Sequence, residues 1–294
     1  PPGCFFCFAT VPCLLPLASM LQAVPLVFIA LSMFPAGALG GKLLPSSGLA
    51  TPGFVAWSRF ASGALLVLPF APRGCLRLLK DWRIWLRASL ITGGILSIQT
   101  ALQTEAIADV FAAFFIGPVI SYVLSVTLLR ESTTPLRAIL MGAGFCGVLL
   151  VVRPGFGGSA NLMYAVLAGC FYGCFLTASR WLAHVGKPVE LSFTQLLLSA
   201  LFLLPLGLSN LPEASLSTAA LTVGSATFSM LGNLLLLYAY SRSEASRLAP
   251  TVYFQLIAAV LLGWAVFDQL PDLLTWAGLL VVISAGIASA SLRR

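Results

Sequence analysis

The sequence predicts an all-α polytopic membrane protein, ten transmembrane helices forming two inverted repeats of five. Three observations carry that prediction. Of 294 residues, 59% are hydrophobic and only 9% charged, with a mean hydropathy of +1.01, whereas a soluble domain carries about 25% charged residues. Apolar stretches long enough to cross a bilayer recur about ten times along the chain, and a span needs roughly 20 such residues. Thirteen of the sixteen Lys and Arg fall in every second gap between those stretches or at the C-terminal end. Basic residues near span ends stay on the cytoplasmic side, so this alternation also sets orientation.

The elements follow in order. Pro1–Ser19 carries no charge and lacks the basic n-region of a secretory signal. It is read as an extension outside the repeats, a mis-called start or cloning remnant, with an additional apolar segment as the alternative. Met20 opens the first span. Spans are predicted at 20–40, 54–71, 84–103, 110–129, 135–152, 160–179, 191–209, 216–238, 248–267 and 272–291. The gap after the second holds Arg73, Arg77, Lys80, Arg83 and Arg87 and is assigned to the cytoplasm. Alternation places Arg130 and Arg137, then Arg180 and Lys187, then Arg242 and Arg247, and finally Arg293 and Arg294 on the same side. Glu105, Asp109, Glu213, Asp268 and Asp272 occupy the opposite gaps, with Lys42 and Arg153 as the two basic exceptions. Both termini are therefore expected in the cytoplasm.

The halves resemble each other. Phe54–Phe70 ends in Leu-Pro-Phe, and Leu191–Leu206 ends in Leu-Pro-Leu at a matching distance. Glu131 follows the fourth span as Asp268 follows the ninth (268 − 131 = 137). The segments ALQTEA at 101–106 and AYSRSEA at 239–245 occupy the same place in each half. Five spans is an odd number, so the second copy must lie upside down relative to the first. Inverted repeats of this kind typify alternating-access carriers, whose site lies at the repeat interface near the bilayer midplane.

Three stretches carry a family resemblance. Ala112–Glu131 (AAFFIGPVISYVLSVTLLRE) has small residues, a proline, an apolar helix and a glutamate. Gly144–Gly155 (GFCGVLLVVRPG) resembles the end of a first repeat, and Pro250–Gly278 resembles the matching part of a second. In the latter, Asp268 stands where a glutamate is more usual. On these stretches the chain resembles the drug/metabolite transporter superfamily, specifically its ten-span branch with two EamA-like repeats. The repeats are placed at 20–155 and 156–294. The resemblance implies ten helices around a central cavity, with the fifth and tenth peripheral. It also implies a substrate among small organic metabolites, amino acids, vitamins or amphipathic drugs, and export as the commoner direction.

Candidate solute-binding residues are few. Arg59 is the basic residue farthest inside a predicted span, roughly 9 Å from its outer end at about 1.5 Å per residue. It either snorkels to the outer interface or faces a cavity, as ionisable groups in spans usually do; the resemblance favours a basic residue there. Gln195 occupies the equivalent place in the second repeat. Gln99 and Gln103, one turn apart on the third span, and Asn233 on the eighth could serve a solute or simply bond neighbouring helices. Phe34 and Tyr172 match across the repeats (172 − 34 = 138), and with Trp57 and Tyr253 they are expected as aromatic cavity walls. A cavity holding Arg59 would favour a solute with a carboxylate or other anionic group, because Arg offers a forked donor set.

Other chemistries lack their parts. There is no HExxH or P-loop, no membrane-embedded His to activate a serine, and no mid-span aspartate pair. The seven cysteines are read as small apolar packing residues, and His184 sits beside a predicted loop. No enzymatic activity, metal or cofactor is expected. The net charge of +7 is scattered over separate loops, which argues topology and not nucleic acid. The expected partners are a small-molecule solute and the bilayer of a bacterial inner membrane, with a homodimer left open. Glu105, Glu131 and Asp268 lie near span ends, so facilitated exchange or uniport is expected over proton coupling. A non-transporting scaffold or receptor, or an enzyme acting on a small lipid, are the alternative functions.

Overall fold

The computed structural model describes residues 28–37, 51–72, 74–104, 110, 113–152, 162–209, 211–212, 215–242, 245–267 and 273–291. The extension at 1–19 and the loop acids Glu105, Asp109, Asp268 and Asp272 lie outside the described residues. The helices are α1 (Phe28–Gly37), α2 (Pro52–Val67), α3 (Trp82–Thr104), α4 (Ile116–Thr127), α5 (Pro135–Val152), α6 (Leu162–Trp181), α7 (Pro188–Leu208), α8 (Leu216–Arg242), α9 (Phe254–Phe267) and α10 (Leu273–Ser291). Each falls on a predicted span.

Local chemistry sets the helix starts. Thr51 caps α2, its hydroxyl accepting from the Phe54 N–H at 3.3 Å, with Pro52 in the first turn. Asp81 precedes α3 and its carboxylate accepts from the Arg83 N–H at 2.9 Å. Pro188 opens α7, and Glu190 reaches back to the Lys187 N–H at 2.9 Å. Proline suits these positions because its missing N–H has no intrahelical partner there anyway. The ninth helix starts six residues later than predicted. Around Pro250 the chain instead makes a short turn (Ala245–Leu248) and a 3₁₀ segment (Ala249–Tyr253), since proline cannot donate to a preceding turn.

Among the described residues, three helices, Pro52–Phe70, Pro188–Leu208 and Leu216–Arg242, are long and apolar enough to cross a membrane by length and composition, and four shorter apolar helices accompany them. Their outward faces are oily: Leu65, Phe70, Leu128, Met163, Leu216 and Leu273 are each at least two-thirds exposed. Water would not tolerate so much apolar surface on a monomer; lipid does. Among the described residues, every Lys and Arg except Arg59 lies at one end of the bundle, called here the basic end. Arg87 and Arg137, counted with the cytoplasmic gap charges although they fall at the starts of the predicted spans 84–103 and 135–152, sit inside α3 and α5, each 1% exposed.

The packing follows a pseudo-twofold axis that exchanges α1 with α6, α2 with α7, α3 with α8, α4 with α9 and α5 with α10. The pairs α2–α7 and α5–α10 are self-related and make the most extensive contacts beside α3–α6 and α4–α6. α2–α8 has its mate in α3–α7. The register is kept residue by residue. Gly94 on α3 packs on Ala168, Phe171 and Tyr172 of α6, while Gly232 on α8 packs on Ala30, Met33 and Phe34 of α1. Every partner in the second set is displaced from its mate by 138 positions, as 232 − 94 and 168 − 30 both show. Phe28 of α1 likewise meets Phe254 of α9, ring centroids 6.2 Å apart. The α5–α10 pair stands at the periphery and joins the rest mainly through the 3₁₀ segment. There Tyr253, fully buried, rests on Gly144 of α5 and on the Phe115 ring at 6.0 Å.

Candidate functional site: a cavity on the pseudo-twofold axis

Between α1, α2, α3, α7 and α8 lies a cavity of about 50 Å³, partly open at its mouth. Its walls come in repeat-related pairs. Arg59 faces Gln195 and Phe60 faces Leu196, each pair 136 positions apart; Ile91 pairs with Ser229 and Ile95 with Asn233, each 138 apart. Phe34 and Met230 complete the lining. A cavity built from mates must straddle the axis, which is where an inverted-repeat carrier places its site.

Arg59 points inward. One of its terminal guanidinium nitrogens donates to the Ser229 hydroxyl, and among the described residues no carboxylate pairs with it. α8 is held for this contact by Ser225, whose hydroxyl donates to the Gly37 carbonyl of α1 at 2.6 Å. One turn beyond Ser229, the Asn233 amide donates to Gln195 Oε1 at 3.4 Å and to Ser192 Oγ at 3.3 Å. Gln195 is 2% and Asn233 6% exposed. The cavity thus offers a cation with no counter-ion among the described residues, two amides, a hydroxyl and two phenyl rings. That donor set suits a small amphipathic molecule with an anionic group.

Four of the nine residues expected at the site come together here: Phe34, Arg59, Gln195 and Asn233. The others lie elsewhere. Tyr172 is taken up in an aromatic cluster, its ring 4.9 Å from Phe114 and stacked on Phe175. Tyr253 seats the peripheral helix pair as described. Trp57 packs against Gly207 and is tilted on Phe54 at 6.0 Å. Gln99 is half-buried on α3 outside the lining, and the side chain of Gln103 lies outside the described residues. Ser229 was missed by the sequence reading, although it sits four residues before Asn233 and so on the same helical face.

Toward the basic end a second, tighter void, too small to admit a water molecule, lies between α6 and α8, lined by Phe175, Leu176, Ser179, Asn233, Leu236, Leu237 and Tyr240. Asn233 borders both spaces. Beside it, Arg87 donates through Nε to Ser179 Oγ and through Nη1 to the Leu191 carbonyl, both at 3.0 Å. Its guanidinium lies 4.8 Å from the Phe175 ring centre. Farther out, Glu131 Oε1 accepts from Arg180 Nε and from the Ala245 N–H, both at 3.1 Å, and Arg180 Nη1 donates to the Tyr240 carbonyl at 3.2 Å. This network ties the ends of α4, α6 and α8 to the turn before α9. Arg130, in the left-handed region with φ 52°, turns the chain so that Glu131 can reach it.

The profile of the EamA-like transporter family matches this chain twice, at residues 21–153 and 160–290. A riboflavin transporter of Brucella anthropi is 25% identical over 247 residues, covering 79% of this chain and 86% of that protein. An S-adenosylmethionine uptake transporter of Rickettsia conorii is 24% identical over 234 residues, covering 78% and 79%. The pseudopaline exporter CntI of Pseudomonas aeruginosa is 31% identical over 146 residues, about half of each chain (48% and 51%). A solved crystal structure superposes with a TM-score of 0.76 at 18% identity, covering 92% of this chain and 96% of that one, a likeness of fold alone. The double match of one repeat, on a bundle whose halves are related by an axis through the cavity, assigns the chain: it belongs to the EamA-like transporter family of the drug/metabolite transporter superfamily.

Proposed function

We infer that the protein is a secondary carrier that moves a small organic metabolite bearing a carboxylate or other anionic group across a bacterial inner membrane, with the axial cavity as its solute site. The observation that carries this reading is Arg59, a cation inside the bundle bound to a serine hydroxyl and to no carboxylate among the described residues. A charge in that position is costly unless something neutralises it, and an anionic solute does so. Gln195 and Asn233 would hold its polar groups, and Phe34 and Phe60 its apolar body.

The repeats 20–155 and 156–294 rock about the axis to expose the cavity alternately. The basic end faces the cytoplasm, as the clustering of Lys and Arg supports, and both termini lie there. Among the described residues no Asp or Glu lines the cavity, which favours uniport or exchange over proton coupling. The relatives include proteins named for uptake and for export; we read this one as an exporter. Comparing metabolite pools of cells overproducing the protein with those of cells lacking it tests the assignment. One or a few anionic metabolites should move from cell to medium; unchanged pools across a broad panel would overturn it.

A further inference from the structure

Arg87 is a buried cation whose charge the site described above does not use. It is 1% exposed, and among the described residues no carboxylate is paired with it. Two of its nitrogens are bonded, to Ser179 and to the Leu191 carbonyl, while Nη2 is buried with no hydrogen-bond partner. A buried guanidinium left with an unmet N–H₂ group and no counter-ion is an expensive arrangement. Packing alone does not require it, because an apolar residue would fill the same space.

Its surroundings suggest what it is for. Ser179 and Phe175, the two side chains that hold the guanidinium, also line the tighter void. That void shares Asn233 with the axial cavity, and Arg87 stands beside it through its contacts with Ser179 and Phe175. Arg87 lies five residues into α3, about 8 Å from the basic end at ~1.5 Å per residue. Arg59 lies about 10 Å from the other end on the same reckoning, and a bilayer core is about 30 Å thick. The two cations therefore stand on the order of 12 Å apart in depth, one on each side of Asn233.

We propose that Arg87 is a second anion-binding station on the transport path, taking up the anionic group of the solute between the axial cavity and the cytoplasm. In this conformation the void is closed around it; in the inward-open state α6 and α8 part along Phe175, Ser179, Leu237 and Tyr240, and the guanidinium faces the opened passage. Export then begins with capture of the anion at Arg87 and proceeds by transfer past Asn233 to Arg59. This rests on the carrier reading above, but its test needs no knowledge of the solute.

Cysteine is placed at position 237 (Leu237→Cys), and inside-out membrane vesicles are treated with two membrane-impermeant methanethiosulfonates, one carrying a sulfonate and the other a trimethylammonium group. Labelling at 237 is read by mass spectrometry, which separates it from the native cysteines. Each rate is divided by that reagent's rate with a small free thiol. With Arg87 present, the anionic reagent should be favoured at least about tenfold, as a unit charge several ångströms away at intermediate dielectric demands. Arg87→Gln should erase the preference and Arg87→Lys should keep it. Should Arg87→Gln fail to insert, the preference in the Arg87 protein and its decline with added salt still decide. Equal normalised rates with Arg87 present, or no labelling from this side, would overturn the proposal. Either outcome leaves the metabolite-pool comparison untouched, so the two readings fail separately.

Discussion

The two repeats keep the same packing but not the same chemistry. Gly94 and Gly232 hold identical places against α6 and α1, and the cavity walls come from equivalent positions. Yet Ile91 and Ile95 of the first repeat face Ser229 and Asn233 of the second, and Phe34 of the cavity has its mate Tyr172 in an aromatic cluster outside it. Polarity is concentrated on the second repeat, and the uncompensated charge sits on the first. Packing positions are constrained by close helix contact, whereas lining positions are free to diverge. A symmetric scaffold thereby presents an asymmetric lining.

Breaking the comparison at its charged pair should have the largest effect. Arg59→Gln, which makes both members of the pair glutamine, should reduce flux by at least about 100-fold, the scale of a lost buried charge contact, with membrane insertion unchanged by fractionation. Moving the charge to its mate sharpens the same point. The double variant Arg59→Gln/Gln195→Arg should recover flux to within about tenfold of wild type, if the two positions are interchangeable about the axis; the readout is the same flux assay.

The glycine pair should separate next. A Cβ at 232 would lie 2.8 Å from the Ala30 carbonyl, whereas one at 94 meets nothing nearer than 3.4 Å. Gly232→Ala should therefore cost about 1–3 kcal/mol through overpacking. Gly94→Ala should be neutral or stabilising by up to about 1 kcal/mol from helix propensity. Thermal unfolding of the purified protein in detergent distinguishes them. The smallest effect is expected at Asn233→Leu, where each of two interhelical hydrogen bonds contributes about 0.6 kcal/mol on average in membranes. There the solute KM should rise while unfolding barely shifts.

Much of the fold was legible in the sequence because a bilayer leaves little choice: backbone groups must be satisfied within helices, so apolar length and loop charge carry the architecture. The ten helices described above fall on predicted spans, and Pro69 and Pro205, each near the end of its span, carry the repeat relation. What escaped depends on neighbours. Arg87 reads as a loop charge until α6 and α7 supply Ser179 and the Leu191 carbonyl. The late start of α9 follows from the 3₁₀ turn that seats Tyr253 between α5 and α4. Within the site, Arg59, Gln195, Asn233 and Phe34 were legible as polar or repeat-matched residues at suitable depth. Tyr172, Tyr253, Trp57 and Gln99 satisfied similar criteria, but spacing gives a residue's helical face and not which neighbour that face meets. Ser229 became visible only through its bond to Arg59.

The central claim is that an anionic metabolite crosses the membrane through a cavity organised by Arg59. The direct measurement is exchange in proteoliposomes loaded with a bacterial metabolite extract, the released solutes identified by mass spectrometry for wild type and for Arg59→Gln. The account predicts that wild-type vesicles lose a small set of anionic solutes and that Arg59→Gln vesicles retain them. Release of the same solutes from both, or of none from wild type, would contradict it.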